Sequence, residues 1–234
     1  MTDPTAADAV LRSRGRRLLR AVAATGTSVV PAVVLAFAVR QQFDPVIRAD
    51  TGAIRAATTF SRTHELTPAL MTVQHLAQPV VVYSTATAGV LLIGRTAELK
   101  GRAWWAFVTM MSGWTIGGVS KILVRRLRPV VDEPLSHSPG YSFPSGHALN
   151  IAVAGSAMTV LVWPRLKRAG RRVAVTAAVV TGLAVGLDRI LLGVHFPSDV
   201  IAGWLLGLGV TVASWMGFSG MRASASLPAP LRPA

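Results

Sequence analysis

The chain has 234 residues, of which 51% are hydrophobic and only 15% charged, where a soluble domain carries about a quarter. Its length suits one domain, and its mean hydropathy of +0.48 suits lipid better than water. The absence of cysteine excludes disulfides, thiolate metal sites and iron–sulfur clusters. The formal charge of +14 does not mark a nucleic-acid binder, because the basic residues form short clusters between apolar runs instead of one basic and aromatic surface.

Residues 1–20 form a basic segment, followed by an apolar run over 21–39. RSRGRRLLR and a run ending in AFA at 36–38 resemble a signal peptide. The run is long for a signal peptide's apolar core, so we read an uncleaved first helix; cleavage would leave the remaining topology unchanged. Residues 41–66 are partly amphipathic and read either as a segment lying on the membrane surface or as a plain connecting loop.

Further apolar runs follow at 68–94, 103–124, 147–163, 173–192 and 199–217, most of them reaching the roughly 17–25 residues of a spanning helix. Pro31, Pro68 and Pro79 fall in or near these runs, as membrane helices tolerate. Gln74 and His75, inside the second run, are expected to make an interhelical hydrogen bond. The tryptophans lie near run ends, as an interfacial belt would; Trp114 is the exception and is assigned to core packing. The proline-rich tail within 218–234 reads as disordered. The expected fold class is therefore an all-α membrane protein, with six transmembrane helices bundled over residues 21–217.

Charge orients the bundle. With the N-terminus inside, the inner segments hold 15 of the 24 lysines and arginines but only three of the ten acidic residues. Both termini are then cytoplasmic in a multi-pass cell-membrane protein.

Three stretches on the outer side carry chemistry. In KILVRRLRP (121–129), Lys121 and Arg128 are seven residues apart and would share a helix face that Pro129 ends. They form either an anion site or cations snorkelling to lipid phosphates; Arg125 and Arg126 beside them contact a headgroup, a second phosphate or the same lipid phosphates. In PSGH (144–147), Ser145 suits a helix N-cap, and Gly146 opens the backbone to an anion at the positive helix end. His147 stands in that first turn, although an ordinary helix start would look the same. In DRILLGVHFPSD (188–199), Asp199 follows His195 by four residues. A carboxylate on one ring nitrogen would leave the other free to attack; the plain alternative is a helix cap and a buried structural histidine. His64 and His137 read as loop surface. No carboxylate cluster or H-E-x-x-H pattern provides a metal cage, so no cofactor is expected.

With these three stretches in this order, the sequence resembles the type 2 phosphatidic acid phosphatase superfamily of integral membrane lipid phosphatases. The family signatures K-x6-R-P, P-S-G-H and S-R-x5-H-x3-D correspond to the stretches above, except that Asp188 stands where the family usually has serine. Asp188 could pair with Arg189 or Lys121 and lower anion affinity. The resemblance implies that His195 attacks phosphorus to form a phosphohistidine, that Asp199 orients it, and that His147 protonates the leaving oxygen and then activates water. It also implies that Lys121, Arg128, Arg189, Ser145 and the Gly146 N–H bind the phosphoryl oxygens.

The implied activity is a metal-independent lipid phosphate or diphosphate phosphatase at the extracytoplasmic membrane face. Its partners are the bilayer and a lipid phosphate or polyprenyl diphosphate, with no nucleic acid. The Ala/Arg/Val-rich usage is that of a high-GC bacterium. In that setting undecaprenyl diphosphate comes first, ahead of phosphatidylglycerol phosphate and phosphatidate. The rival classes are a lipid phosphotransferase, a vanadate haloperoxidase-like enzyme and a non-catalytic lipid-binding membrane protein.

Overall fold

The computed structural model describes residues 4–130, 135–136 and 138–225. All regular structure among them is helical: α1 (Pro4–Arg40), α2 (Asp44–Thr63), α3 (Thr67–Leu76), α4 (Pro79–Gly94), α5 (Lys100–Val124), α6 (Gly146–Val162), α7 (Arg168–Leu191) and α8 (Pro197–Ala225), with a 3-10 turn at Trp163–Arg165. Among the described residues five helices are long and apolar enough to cross a membrane, or six spans if α3 and α4, which meet at a 45° bend, are counted as one. The chain is an all-α membrane bundle. Many large apolar side chains point outward, among them Phe37, Leu91, Trp104, Ile122 and Leu187, as lipid contact requires.

The run read as one span over 68–94 is two helices. Pro79 has no N–H to continue α3, and the residue before a proline is pushed out of the helical region. Gln78 accordingly takes φ −55°, ψ 136°. The basic segment over 4–20 is the first half of α1, which runs unbroken through Pro31. At the other end α8 extends past 217 to Ala225. The rest of the tail read as disordered lies outside the described residues, as does His137.

Helix α6 is central and touches α4, α5, α7 and α8. Its approach to α8 is set by glycines: a Cβ on Gly203 would lie 2.7 Å from the Ser145 carbonyl oxygen, and one on Gly207 would lie 2.8 Å from that of Leu149. This G-x-x-x-G spacing lets two membrane helices meet backbone to backbone. Helix α7 leans on α8 through Trp204, whose Nε1 donates to the Gly182 carbonyl at 3.1 Å; a side chain at Gly186 would overlap the indole. Thus the starts of α6 and α8 and the end of α7 converge at one end of the bundle. Trp114, assigned to the core, is 49% exposed and meets Tyr83 edge-on.

Residues 41–66 are no plain loop. Most of them form α2, an amphipathic helix whose Asp50, Ile54, Thr58 and Ser61 are buried at helical spacing. It packs on α7 and α8, and Ser61 Oγ donates to the Leu191 carbonyl at 2.9 Å. Phe43 and Phe60 remain exposed.

Candidate active site

Three chain segments meet at the convergent end: residues 121–128, 141–150 and 188–199. Helix α5 stops at Val124, because Arg125 turns into the left-handed region at φ 55°. Arg128 is therefore not on the helix, and the shared-face expectation for Lys121 and Arg128 does not describe how they meet. The chain reverses after Arg125 and pairs with residues ahead of α6: Ser142 N donates to the Arg126 carbonyl at 2.9 Å, and Ser142 Oγ to the Leu127 carbonyl at 3.0 Å. Lys121 Nζ donates to the Tyr141 carbonyl at 2.6 Å. Arg128 donates to the carbonyls of Gly140, Pro139 and Val194 at 3.1, 3.2 and 2.7 Å. Burial lowers the Arg128 pKa, but a guanidinium stays charged in proteins.

Ser145 caps α6, its hydroxyl accepting from Ala148 N at 3.4 Å. Its own N–H donates to the Asp199 carbonyl at 2.9 Å, which ties the start of α6 to the first turn of α8. At Gly146 an added Cβ would meet only Lys121 Cε, at 3.8 Å, so the absent side chain keeps the space beside Lys121 clear. His147 follows with Nε2 buried and unpartnered, close enough to Arg189, His195, Arg128 and Lys121 to feel their charges.

His195 lies in the link between α7 and α8 and is 2% exposed. Its Nε2 is 3.2 Å from Arg128 Nη1, and its Nδ1 faces Asp199 Oδ2 at 3.5 Å. That separation is at the outer limit of a hydrogen bond, as is common before a ligand tightens a site. An arginine can only donate, so Nε2 must accept and the neutral ring carries its proton on Nδ1. Burial pushes the His195 pKa down to about 4, against the opposing pull of Asp199.

Arg189 is fully buried. Nε donates to Asp188 Oδ2 at 2.9 Å, Nη2 binds the same oxygen, and Nη1 donates to Gln74 Oε1 at 2.9 Å. Asp188 thus pairs with Arg189 and not Lys121, and its Oδ1 is buried without a partner. Gln74 makes the expected interhelical bond, whereas His75 is exposed and bonds to the Met71 carbonyl one turn back. His64, read as loop surface, caps α2 and is exposed.

The eight residues singled out by sequence (Lys121, Arg128, Ser145, Gly146, His147, Arg189, His195, Asp199) thus cluster at one end of the bundle. Sequence reasoning missed the support behind them. Arg126, expected at lipid phosphates or a second phosphate, is buried and ion-paired to both Asp50 and Asp199 at 2.7 Å. One signal was available: Asp50 is an acidic residue in register with the buried face of α2.

Comparison with known proteins agrees with this architecture. The family model described as the PAP2 superfamily matches residues 102–220, about half of the chain. The chain is 32% identical to phosphatidylglycerophosphatase B of Bacillus subtilis over 51% of its length and 61% of that protein. It is also 32% identical to the undecaprenyl-diphosphatase of Sulfolobus acidocaldarius, over 63% of its length and 66% of that protein. The matched region therefore spans less than two thirds of either relative. Among solved structures, a transmembrane PAP2-type phosphatidylglycerolphosphate phosphatase from Bacillus subtilis superposes with TM-score 0.70 and 26% identity, covering 86% of this chain and 96% of that one. With the family model, the helical bundle and the convergent site in agreement, the chain belongs to the PAP2 superfamily.

Proposed function

We propose that this protein is a membrane phosphatase that hydrolyses a lipid phosphate or diphosphate through a phosphohistidine. One observation carries the reading: His195 turns Nδ1 toward Asp199 and Nε2 toward Arg128, in a cluster that also holds Lys121, Arg189 and His147. A neutral ring with that tautomer has its lone pair on Nε2, where cations would hold the phosphoryl oxygens.

In the first step Nε2 attacks phosphorus and the bond to the leaving oxygen breaks. His147 gives that oxygen a proton through the ring nitrogen that now lacks a partner. In the second step His147 takes a proton from water, whose oxygen attacks phosphorus. The P–N bond then breaks, and inorganic phosphate and free His195 return. Asp199 stabilises the imidazolium character that develops in both steps. Lys121, Arg128, Arg189 and the N-terminal N–H groups of α6 bind the equatorial oxygens. The cluster lies at one end of a bundle with apolar outer faces, so the substrate would be amphiphilic. By the charge asymmetry of the loops, that end is extracytoplasmic and both termini are cytoplasmic.

A polyprenyl diphosphate is our first substrate, given an extracytoplasmic site and a relative named undecaprenyl-diphosphatase. Phosphatidylglycerol phosphate is the second reading, since another relative and the superposed structure are named for it. The test is phosphate release by purified protein in detergent with EDTA present. Undecaprenyl diphosphate, phosphatidylglycerol phosphate and phosphatidate are offered, with His195→Ala as control. Turnover that the variant lacks supports the reading, and the preferred lipid names the substrate. Folded protein that hydrolyses none of the three contradicts it.

A further inference from the structure

Asp199 is held from behind. Its Oδ2 faces His195 and accepts from Phe196 N at 2.9 Å. Its Oδ1 accepts from Arg126 Nη1 at 2.7 Å. The same Nη1 reaches Ser198 Oγ at 2.7 Å, and Nη2 donates to Asp50 Oδ2 at 2.7 Å. Asp50 accepts in turn from Ser198 N at 3.0 Å and from the Ser198 hydroxyl. The guanidinium lies over the Phe196 ring, 3.9 Å from its centroid. Arg126 is 8% exposed, Asp50 4% and Asp199 0%.

Burying one cation with two carboxylates is a poor route to stability, since apolar groups of the same volume often do as well or better. A role in the chemistry fits better. A bare carboxylate beside an imidazole favours the imidazolium, which has no lone pair for attack. With Oδ1 neutralised by Arg126, Asp199 can orient the ring while the ring stays neutral. On its other side His195 faces Arg128 and Lys121, with His147 and Arg189 beyond, and Asp188 is bound by Arg189. Among the described residues Asp199 is thus the carboxylate that can hold a proton on His195, and Arg126 is the cation set against it.

Resting on the phosphatase reading, we propose that Arg126, fixed by Asp50 and Ser198, is a positioning residue for the Asp199–His195 pair. Helix α2 thereby becomes part of the support of the active site, although it lies outside all three sequence motifs.

The test uses the full chain in detergent with Arg126→Gln, Arg126→Lys and Asp50→Asn, each checked for folding by its thermal midpoint. Two readouts are taken: the His195 titration by ¹⁵N-histidine NMR, assigned by the signal lost in His195→Gln, and steady-state kinetics. In Arg126→Gln the His195 midpoint is expected to rise by about one pH unit or more, while Arg126→Lys, which keeps the charge, moves it less. In Arg126→Lys and Asp50→Asn, kcat should fall about 10–100-fold, the scale seen when supporting partners of ligating histidines are removed, with KM within about threefold. An unmoved midpoint in folded Arg126→Gln, or unchanged kcat in folded Asp50→Asn, overturns the proposal. So does a loss confined to KM. If the wild-type protein hydrolyses no lipid phosphate, the phosphatase reading fails separately; the NMR midpoint then decides the coupling alone. If Arg126→Gln does not fold, kcat in the other two variants decides it.

Discussion

Arg128 Nη1 stands 3.2 Å from His195 Nε2: the nitrogen proposed to attack is already in contact with a cation proposed to bind the phosphoryl group. Nη1 also donates to the Val194 carbonyl, and Nε and Nη2 donate to those of Gly140 and Pro139, so the guanidinium is aimed before any substrate arrives. Such prior aiming is where electrostatic catalysis gains most. Arg128→Ala should lower kcat by about 10²–10³-fold, the scale for one lost charge-stabilising donor. Arg128→Lys should recover little of it, because an ammonium cannot span three carbonyls and an anion in one plane. Steady-state kinetics on the preferred lipid checks both.

Asp188 binds Arg189 through two of its nitrogens, leaving less of that cation for an anion. Asp188→Ser, which installs the residue usual in the family signature, should free Arg189. Inhibition by inorganic phosphate should then tighten, by about 10-fold for each 1.4 kcal/mol of attraction released. Inhibition constants at one ionic strength measure this, and an unchanged constant would mean that Arg189 does not reach the anion.

The depressed His195 pKa sets a pH window. The folded value is about 4 against an ordinary 6.5, so between these values the unfolded chain takes up a proton that the folded one refuses. This contribution to stability is fully present above about pH 6.5 and is lost as pH falls through 4, by about 3 kcal/mol at most. Thermal midpoints of wild type should fall across that window more steeply than those of His195→Gln.

The close approach of α6 and α8 should be brittle. A Cβ at Gly203 meets the Ser145 oxygen at 2.7 Å and Leu149 N at 3.1 Å, and backbone cannot swing aside. Gly203→Ala should cost about 1–3 kcal/mol and disturb the Ser145–Asp199 bond as well. Gly118, with open space around it, should accept alanine. Thermal unfolding of the two variants in detergent separates these outcomes.

Much of this arrangement is legible in sequence because local rules govern it. Ser145 caps α6 and Pro197 opens α8 as their residue types foretell, and the apolar runs lie where the spans are. The errors arise where one residue overrides a pattern. The left-handed turn at Arg125 ends α5 early, so Lys121 and Arg128 meet across a chain reversal. Pro79 splits a run whose hydropathy is continuous. The Asp50–Arg126 pair joins positions 76 residues apart, which no local pattern reports; only the acidic residue on the buried face of α2 hinted at it.

Hydrolysis through a phosphohistidine requires that His195 become covalently phosphorylated. Full-length protein should be mixed with substrate labelled at the terminal phosphorus and quenched within one turnover. Label on the protein is expected to be stable to base and lost in acid, as a phosphoramidate is, to map to His195 and to be absent from His195→Ala. Turnover by wild type with no labelled protein at any quench time, or label retained in His195→Ala, would contradict it.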